Sequence, residues 1–345
     1  MPHIFTVLGA RPQFIKAAPV SRAIAKEGMT EVIAHTGQHF DALMSDVFFD
    51  ELDIPKPAYN LEVNSLGHAA MTGRMLEKLE EAMLAEAPDI ILIYGDTNST
   101  IAGALAGAKL NIPVAHVEAG LRSFNRRMPE EINRVVADHV SALLFCPTQT
   151  AVRNLAAEGL TKGIHAVGDV MFDTTLAAVK RAEGRSTIIE THGLKPGSYA
   201  VATIHRAENT DDPERFLHVM DWLEEAARMR RIVMPVHPRT RKLLVSRGLT
   251  LEGLTLIDPI GYLDMARLLS QSAAVYTDSG GLQKEAYFHR VPCVTLRDET
   301  EWVETIEAGW NRLWTSKTYA PRRDITDYGT GDAAAKIARA LQHAL

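Results

Sequence analysis

At 345 residues, 46% hydrophobic and 23% charged, the chain reads as a soluble globular protein of two domains. Its net charge of −6 argues against a general nucleic-acid binder, and no apolar run approaches the ~18 residues that a membrane span needs. Cys146 and Cys293 sit on apolar runs and read as buried strand thiols in a reducing compartment, not as a disulfide or metal site. The N-terminus enters a strand with no basic region or cleavage site, so a cytoplasmic location is expected.

Short apolar runs rich in β-branched residues alternate with helical stretches along the chain. Strands are predicted at Ile4–Leu8, Glu31–Thr36, Asp89–Tyr94, Pro113–Glu118 and Leu143–Cys146. A second series follows at Tyr199–Ile204, Arg231–Val236, Leu254–Ile257, Ala273–Tyr276 and Cys293–Leu296. Helices are predicted between them at His68–Ala87, Ser99–Lys109, Pro213–Met229 and Leu263–Gln271. Alternation of this kind predicts an α/β fold of two doubly wound parallel sheets facing a cleft. It weakens between Lys180 and Pro196, which places the domain boundary there: residues 1–180 and 181–331. Ligands of such sheets sit outside the carboxyl ends of the strands, where the unusual polar residues of this chain fall.

The first such place is Gly9-Ala10-Arg11-Pro12-Gln13-Phe14-Ile15-Lys16, after strand one. It is not GxGxxG, so the dinucleotide fingerprint is missing. Arg11 and Lys16 at a helix N-terminus oppose the helix dipole unless an anion such as a diphosphate sits between them. Thr36-Gly37-Gln38-His39 ends the next strand, where Gln38 and His39 cap a helix or touch a ligand.

Three acids follow at neighbouring strand ends: Asp96 in Gly95-Asp96-Thr97-Asn98, Glu118 in His116-Val117-Glu118, and Glu130 in Met128-Pro129-Glu130. Asp96 alone reads equally as a helix cap, and Glu130 as a first-turn acid. Together they suggest a clustered set in which one carboxyl is pushed toward its protonated form beside a base. Arg122 follows the second acid in the same turn.

In the second series, His205-Arg206-Ala207-Glu208-Asn209 leaves its first strand and His237-Pro238-Arg239 leaves the next. The most informative stretch is Asp278-Ser279-Gly280-Gly281-Leu282-Gln283-Lys284-Glu285. Glycines admit a phosphate to the backbone, N–H groups of the first helical turn point at it, and Glu285 one turn on can grip sugar hydroxyls. An ordinary strand-to-helix turn is the alternative reading. No HExxH spacing occurs, and no metal site is expected.

The ordered motifs GARPQFIK, TGQH, YGDTNST, HVEAGLRS, MPEEINR, His205-Arg206-Ala-Glu-Asn and DSGGLQKEA resemble the non-hydrolysing UDP-N-acetylglucosamine 2-epimerases. The resemblance covers about residues 4–310. It implies the two-domain fold shared with many glycosyltransferases, called GT-B, whose final helix (332–345 here) packs back on the first domain. It also implies elimination of UDP across sugar carbons 1 and 2 and its re-addition with a proton on the opposite face. By motif match, Asp96, Glu118, Glu130 and His205 carry acid/base work. Arg11, Ser279, Gly280, Gly281 and Glu285 bind UDP with Lys16 helping, and Arg122, Arg206, His237 and Arg297 complete the substrate set. Gln38, His39 and Arg74 would line a place for a second, activating UDP-sugar. A homodimer and no cofactor are implied.

Three departures bear on the sugar. Gln13 stands where most of the family has Glu, and Met265 replaces an aromatic near the uracil. The usual Arg-Asp-x-Thr-Glu-Arg-Pro-Glu becomes Arg297-Asp298-Glu299-Thr300-Glu301-Trp302-Val303-Glu304. These variants resemble the branch acting on UDP-2,3-diacetamido-glucuronate, so that sugar and UDP-N-acetylglucosamine both stay open. A glycosyltransferase of the same fold explains the second-domain pocket but not three acids in the first. A hydrolysing epimerase and a catalytically inert UDP-sugar sensor are the other rivals.

Overall fold

The computed structural model describes residues 1–38 and 54–345. Two compact units emerge: Met1–Thr174 with Thr326–Leu345, and Thr175–Ile325. The first is built on β1 (His3–Leu8), α1 (Arg11–Lys26), β2 (Thr30–His35), β3 (Tyr59–Asn60), α2 (His68–Glu86), β4 (Ile90–Tyr94), α3 (Asn98–Lys109), β5 (Val114–Val117), α4 (Pro129–Val140), β6 (Leu143–Cys146), α5 (Gln149–Ala157) and β7 (Ile164–Ala166). Helix α6 (Val170–Ala182) carries the unit boundary within it. The second unit continues through α7 (Ile188–Thr191), β8 (Tyr199–Thr203), α8 (Ala207–Thr210), α9 (Pro213–Met229), β9 (Arg231–Pro235), α10 (Pro238–Ser246), β10 (Leu254–Ile257), α11 (Tyr262–Ser270), β11 (Ala274–Thr277), α12 (Gly280–Phe288), β12 (Cys293–Thr295), α13 (Val303–Glu307) and β13 (Asn311–Leu313). Helix α14 (Ala333–Ala344) closes the chain in the first unit.

Both sheets are parallel and doubly wound, as the alternation predicts. The first runs β3-β2-β1-β4-β5-β6-β7 and the second β10-β9-β8-β11-β12-β13. Central strands such as Ile90-Ile91-Leu92-Ile93-Tyr94 are buried throughout, because helices cover both faces and leave no solvated side to alternate with. On one face of the first sheet, Phe5, Val7, Ile91 and Ile93 pack with Met75, Leu79 and Met83 of α2 and Ala102 and Ala106 of α3. The second sheet is packed by Phe216, Val219 and Leu223 on one cluster and by Leu268, Leu269 and Ala286 on another. Both cysteines are free and buried on strands.

Every strand expected from the sequence is present, with ends within one residue. Those not foreseen are β3, β7 and β13, each at a sheet edge and two or three residues long. Edge strands of this length need no apolar run, and Asn311-Arg312-Leu313 offers none.

Pro19 lies inside α1 and leaves the Ile15 carbonyl without its helical N–H. Thr174 of α6 supplies the missing donor: its hydroxyl lies 2.9 Å from Ile15 O. Helix α14 belongs to the same unit: Asp173 accepts from the Ala333 and Ala334 amides at its start, and Gln342 donates to Glu27 O near its end. Among the described residues no helix is long and apolar enough to cross a membrane.

Candidate active site

In the first sheet β1 lies between β2 and β4, so the loops leaving β1 and β4 diverge at a topological switch point. Gln13 ties those two loops together. Its Oε1 accepts from Gly9 N at 2.7 Å and Ala10 N at 3.0 Å, and its Nε2 donates to Tyr94 O at 2.8 Å. The side chain is buried, and a carboxylate could not make the last bond because it has no hydrogen to give. The Gln13 departure is thus matched to its surroundings. Gly9 is required by close approach: a Cβ there would overlap the hydroxyls of Ser99 and Thr36. Arg11 opens α1, and Lys16, one turn further, donates to Glu118 Oε2.

Glu118 follows β5 directly with φ of +72°, a left-handed conformation that disfavours a residue with a Cβ. The neighbouring backbone is fixed, since Glu118 N and Ala119 N both donate to Phe145 O. The Glu118 and Lys16 side chains are 9% and 11% exposed. Asp96 is not the cap of α3. Thr97 caps it by accepting from Thr100 N, which frees the Asp96 carboxylate to meet Arg134 Nη2 at 2.5 Å. Arg134 also reaches Glu131 Oε2 at 2.8 Å, and Asn133 Nδ2 donates to Asp96 O. Asp96 and Glu118 therefore each face a cation of their own. Glu130 is exposed in the first turn of α4.

Arg134 and its neighbours, which the sequence reading left unassigned, hold this arrangement. Burial works against the charge of Glu131, but Ser123 and Arg134 hold its carboxyl below the usual range. His116, fully buried, joins Asp138 Oδ1 to Gly95 O through its two ring nitrogens, each at 2.7 Å. Arg122 donates to both oxygens of Glu158, to Asp138 Oδ2 and to Leu121 O, with its side chain 1% exposed. This gives Arg122 a structural part in the loop after β5, where the sequence suggested a ligand contact.

The second sheet repeats the switch point, with β8 between β9 and β11. Asp278, fully buried, clasps the two loops: it accepts from His205 N and Arg206 N at 2.9 Å each and from Asn209 Nδ2 at 3.2 Å. His205 Nδ1 lies 3.2 Å from its Oδ1. Burial opposes the Asp278 charge, yet His205 and the two backbone amides hold the carboxyl below its ordinary value. Asp278 is a residue of the DSGG motif with no role read into it from sequence. Ser279 caps α12, accepting from Leu282 N, so Gly280 and Gly281 form the first helical turn and Glu285 lies buried one turn on. His237 caps α10 through Nδ1, which accepts from Arg239 N at 3.2 Å. Arg297 bridges Glu208 and Glu301, each at 2.9 Å. Arg206 Nη2 lies beside Gly280, and Met265 packs half-buried against the core under α11.

Of the residues read as a second UDP-sugar place, Gln38 accepts from the amide and hydroxyl of Ser99. Arg74 is exposed on α2, 3.7 Å from Glu77. His39 lies outside the described residues.

Comparison with known proteins agrees with this fold. The family model described as UDP-N-acetylglucosamine 2-epimerase matches residues 22–342. A UDP-N-acetylglucosamine 2-epimerase homolog of Methanococcus maripaludis is 50% identical over 99% of both chains. The UDP-2,3-diacetamido-2,3-dideoxy-D-glucuronate 2-epimerase of Pseudomonas aeruginosa is 49% identical over 98% of this chain and 99% of its own. The crystal structure of Methanocaldococcus jannaschii UDP-GlcNAc 2-epimerase in complex with UDP-GlcNAc and UDP matches with a TM-score of 0.89 at 39% identity, covering 99% of each chain. The chain belongs to the UDP-N-acetylglucosamine 2-epimerase family, whose named members are isomerases.

Proposed function

We propose that this chain is a non-hydrolysing 2-epimerase of a UDP-2-acetamido sugar that supplies precursors of surface polysaccharide. The proton on sugar carbon 2 has no adjacent carbonyl, so direct removal would leave an unstabilised carbanion. Loss of that proton together with cleavage of the bond from carbon 1 to the diphosphate oxygen gives a 2-acetamidoglucal and UDP. UDP then re-adds at carbon 1 as a proton is delivered to the other face of carbon 2. Asp96, Glu118, Glu130 and His205 supply the acid/base groups. Arg11, Lys16, Arg206 and the Ser279–Gly281 turn, with Glu285, hold the departing UDP, whose charge grows in the transition state.

The observation that carries this reading is Glu118. An acid in a left-handed conformation, mostly buried against a lysine at the carboxyl end of a central strand, is a strained and charged arrangement of the kind found at reacting sites. Both sugars stand as substrates to test: the chain is 50% identical to a relative named for UDP-N-acetylglucosamine and 49% identical to the diacetamido-glucuronate enzyme.

Proton NMR in deuterium oxide tests it, with UDP-N-acetylglucosamine and the 2,3-diacetamido-uronate offered separately. Loss of the carbon-2 proton signal with growth of the manno epimer is expected. Binding of both sugars without exchange would instead support a glycosyltransferase or a sensor.

A further inference from the structure

We propose that the indole N–H of Trp302 is a hydrogen-bond donor to the diphosphate of the bound nucleotide at the Ser279–Gly281 turn. This rests on the UDP-sugar reading above and adds to it a residue that the motif match did not assign.

Trp302 is only 6% exposed, and its Nε1 has no hydrogen-bond partner. Everything else about the residue is fixed. Its amide donates to Thr300 Oγ1 at 3.1 Å, its carbonyl accepts from Thr305 Oγ1 at 2.7 Å, and Lys284 Nζ lies 3.8 Å from the ring centroid. Thr300 is itself held by Gln283 Oε1 of α12 at 2.6 Å. A buried donor left without an acceptor forfeits its hydration with nothing in return, so a well-held ring with an idle N–H points to an acceptor that arrives with a ligand.

The surroundings of that N–H identify the ligand's chemistry. Nε1 lies 3.6 Å from the position a Cβ on Gly280 would occupy, and Arg206 Nη2 lies 3.6 Å from the same point. Gly280 opens α12, so the positive end of the helix faces this space as well. Two side-chain donors and a helix N-terminus converging on one glycine fit an anion with several acceptor oxygens. Glu301 Oε1 also faces the place, 2.5 Å from that Cβ position. Its charge is offset by Arg297, which donates to Oε2 at 2.9 Å, and by the nearby Arg206. A side chain at position 280 would fill the space between these groups. The indole contributes direction without charge, so it favours an oxygen in one place over a diffuse counter-ion.

Titration calorimetry of UDP and of uridine against the wild type and W302F tests this, because phenylalanine keeps the ring beside Lys284 and removes only the N–H. UDP affinity should fall about tenfold in W302F, the effect of one lost hydrogen bond, while uridine affinity stays unchanged. In a ¹H–¹⁵N spectrum the Trp302 indole resonance should shift on saturation with UDP and not with uridine. Should W302F fail to fold, that resonance is assigned by subtraction with W222F, W310F and W314F, and the wild-type titration decides. Equal UDP affinity in W302F, or an indole resonance unmoved at saturation, overturns the assignment and leaves the UDP-sugar reading standing. A wild-type chain that binds no UDP overturns both.

Discussion

Lys16 and Glu118 lie 102 positions apart in sequence and meet as an ion pair at the carboxyl end of the first sheet. Each is about one-tenth exposed, so neither charge is well served by water. Removing one partner strands the other in a poorly solvated place, which costs more than removing both. Lys16→Met and Glu118→Gln should each lower unfolding free energy, and the double variant should lose less than the sum by about 1–3 kcal/mol. Urea unfolding of the four proteins measures this; strict additivity would show that the pair is not coupled in solution.

Turnover gives a separate test of the acids. Asp96→Asn and Glu130→Gln should each cut the rate of carbon-2 exchange by roughly a hundredfold or more, as removal of an acid/base group does. The two differ in what else they disturb. Asp96 holds Arg134, so its variant should also unfold more easily, whereas exposed Glu130 should leave the unfolding midpoint unmoved. Near-wild-type exchange in both would remove them from the acid/base set.

The places where sequence and structure part are instructive. Glu118 was legible because an acid interrupts an apolar strand, and Ser279-Gly280-Gly281 because the turn requires it. Arg134 was not, although Glu131 and Arg134 stand at a helical spacing of three. Nothing local says that this arginine reaches the loop after β4, because the strand order that brings Asp96 to it is a property of the whole sheet. Asp278 was hidden for the same reason: its partners are 72 and 73 positions away. Arg122 looked like a ligand group because it follows Glu118, and only the carboxylates of Glu158 and Asp138 that the fold brings to it show where its donors go. Edge strands β3, β7 and β13 carried too little apolar sequence to register.

The Thr174 hydroxyl makes Pro19 tolerable within α1, and this can be measured. Thr174→Val keeps the shape and removes the donor, leaving Ile15 O buried without a partner, at a cost of about 1–3 kcal/mol. In a Pro19→Ala background the helix supplies its own N–H to that carbonyl. Thr174→Val should then cost about 1 kcal/mol less. An equal cost in both backgrounds would mean that the hydroxyl acts elsewhere, for instance on Val170 O, 3.0 Å away.

Two half-buried groups should give the chain opposite responses to mild acid. Asp173, which accepts from the first amides of α14, has its carboxyl pushed up to about 6 from 3.8, chiefly by burial, against the pull of those amides. A raised carboxyl favours the folded state most when protonated, so its contribution is complete below about pH 4 and is lost as pH rises through 6. His289, at the end of α12, is pushed down to about 4 from 6.5 by burial. Its contribution is complete above pH 6.5 and is lost as pH falls through 4. Each is on the order of 3 kcal/mol, so between pH 4 and 6 they oppose one another in the wild type. Asp173→Asn keeps an acceptor for α14 and removes its titration. Amide exchange of α14, corrected for intrinsic rates, should show protection rising as wild type is acidified from pH 6 to 4, relative to a flat Asp173→Asn. The second unit holds all four tryptophans, Trp222, Trp302, Trp310 and Trp314, so fluorescence follows its unfolding. The urea midpoint by fluorescence should fall on acidification in wild type and fall less in His289→Gln. A midpoint that falls equally in both would show that His289 is not the group that titrates.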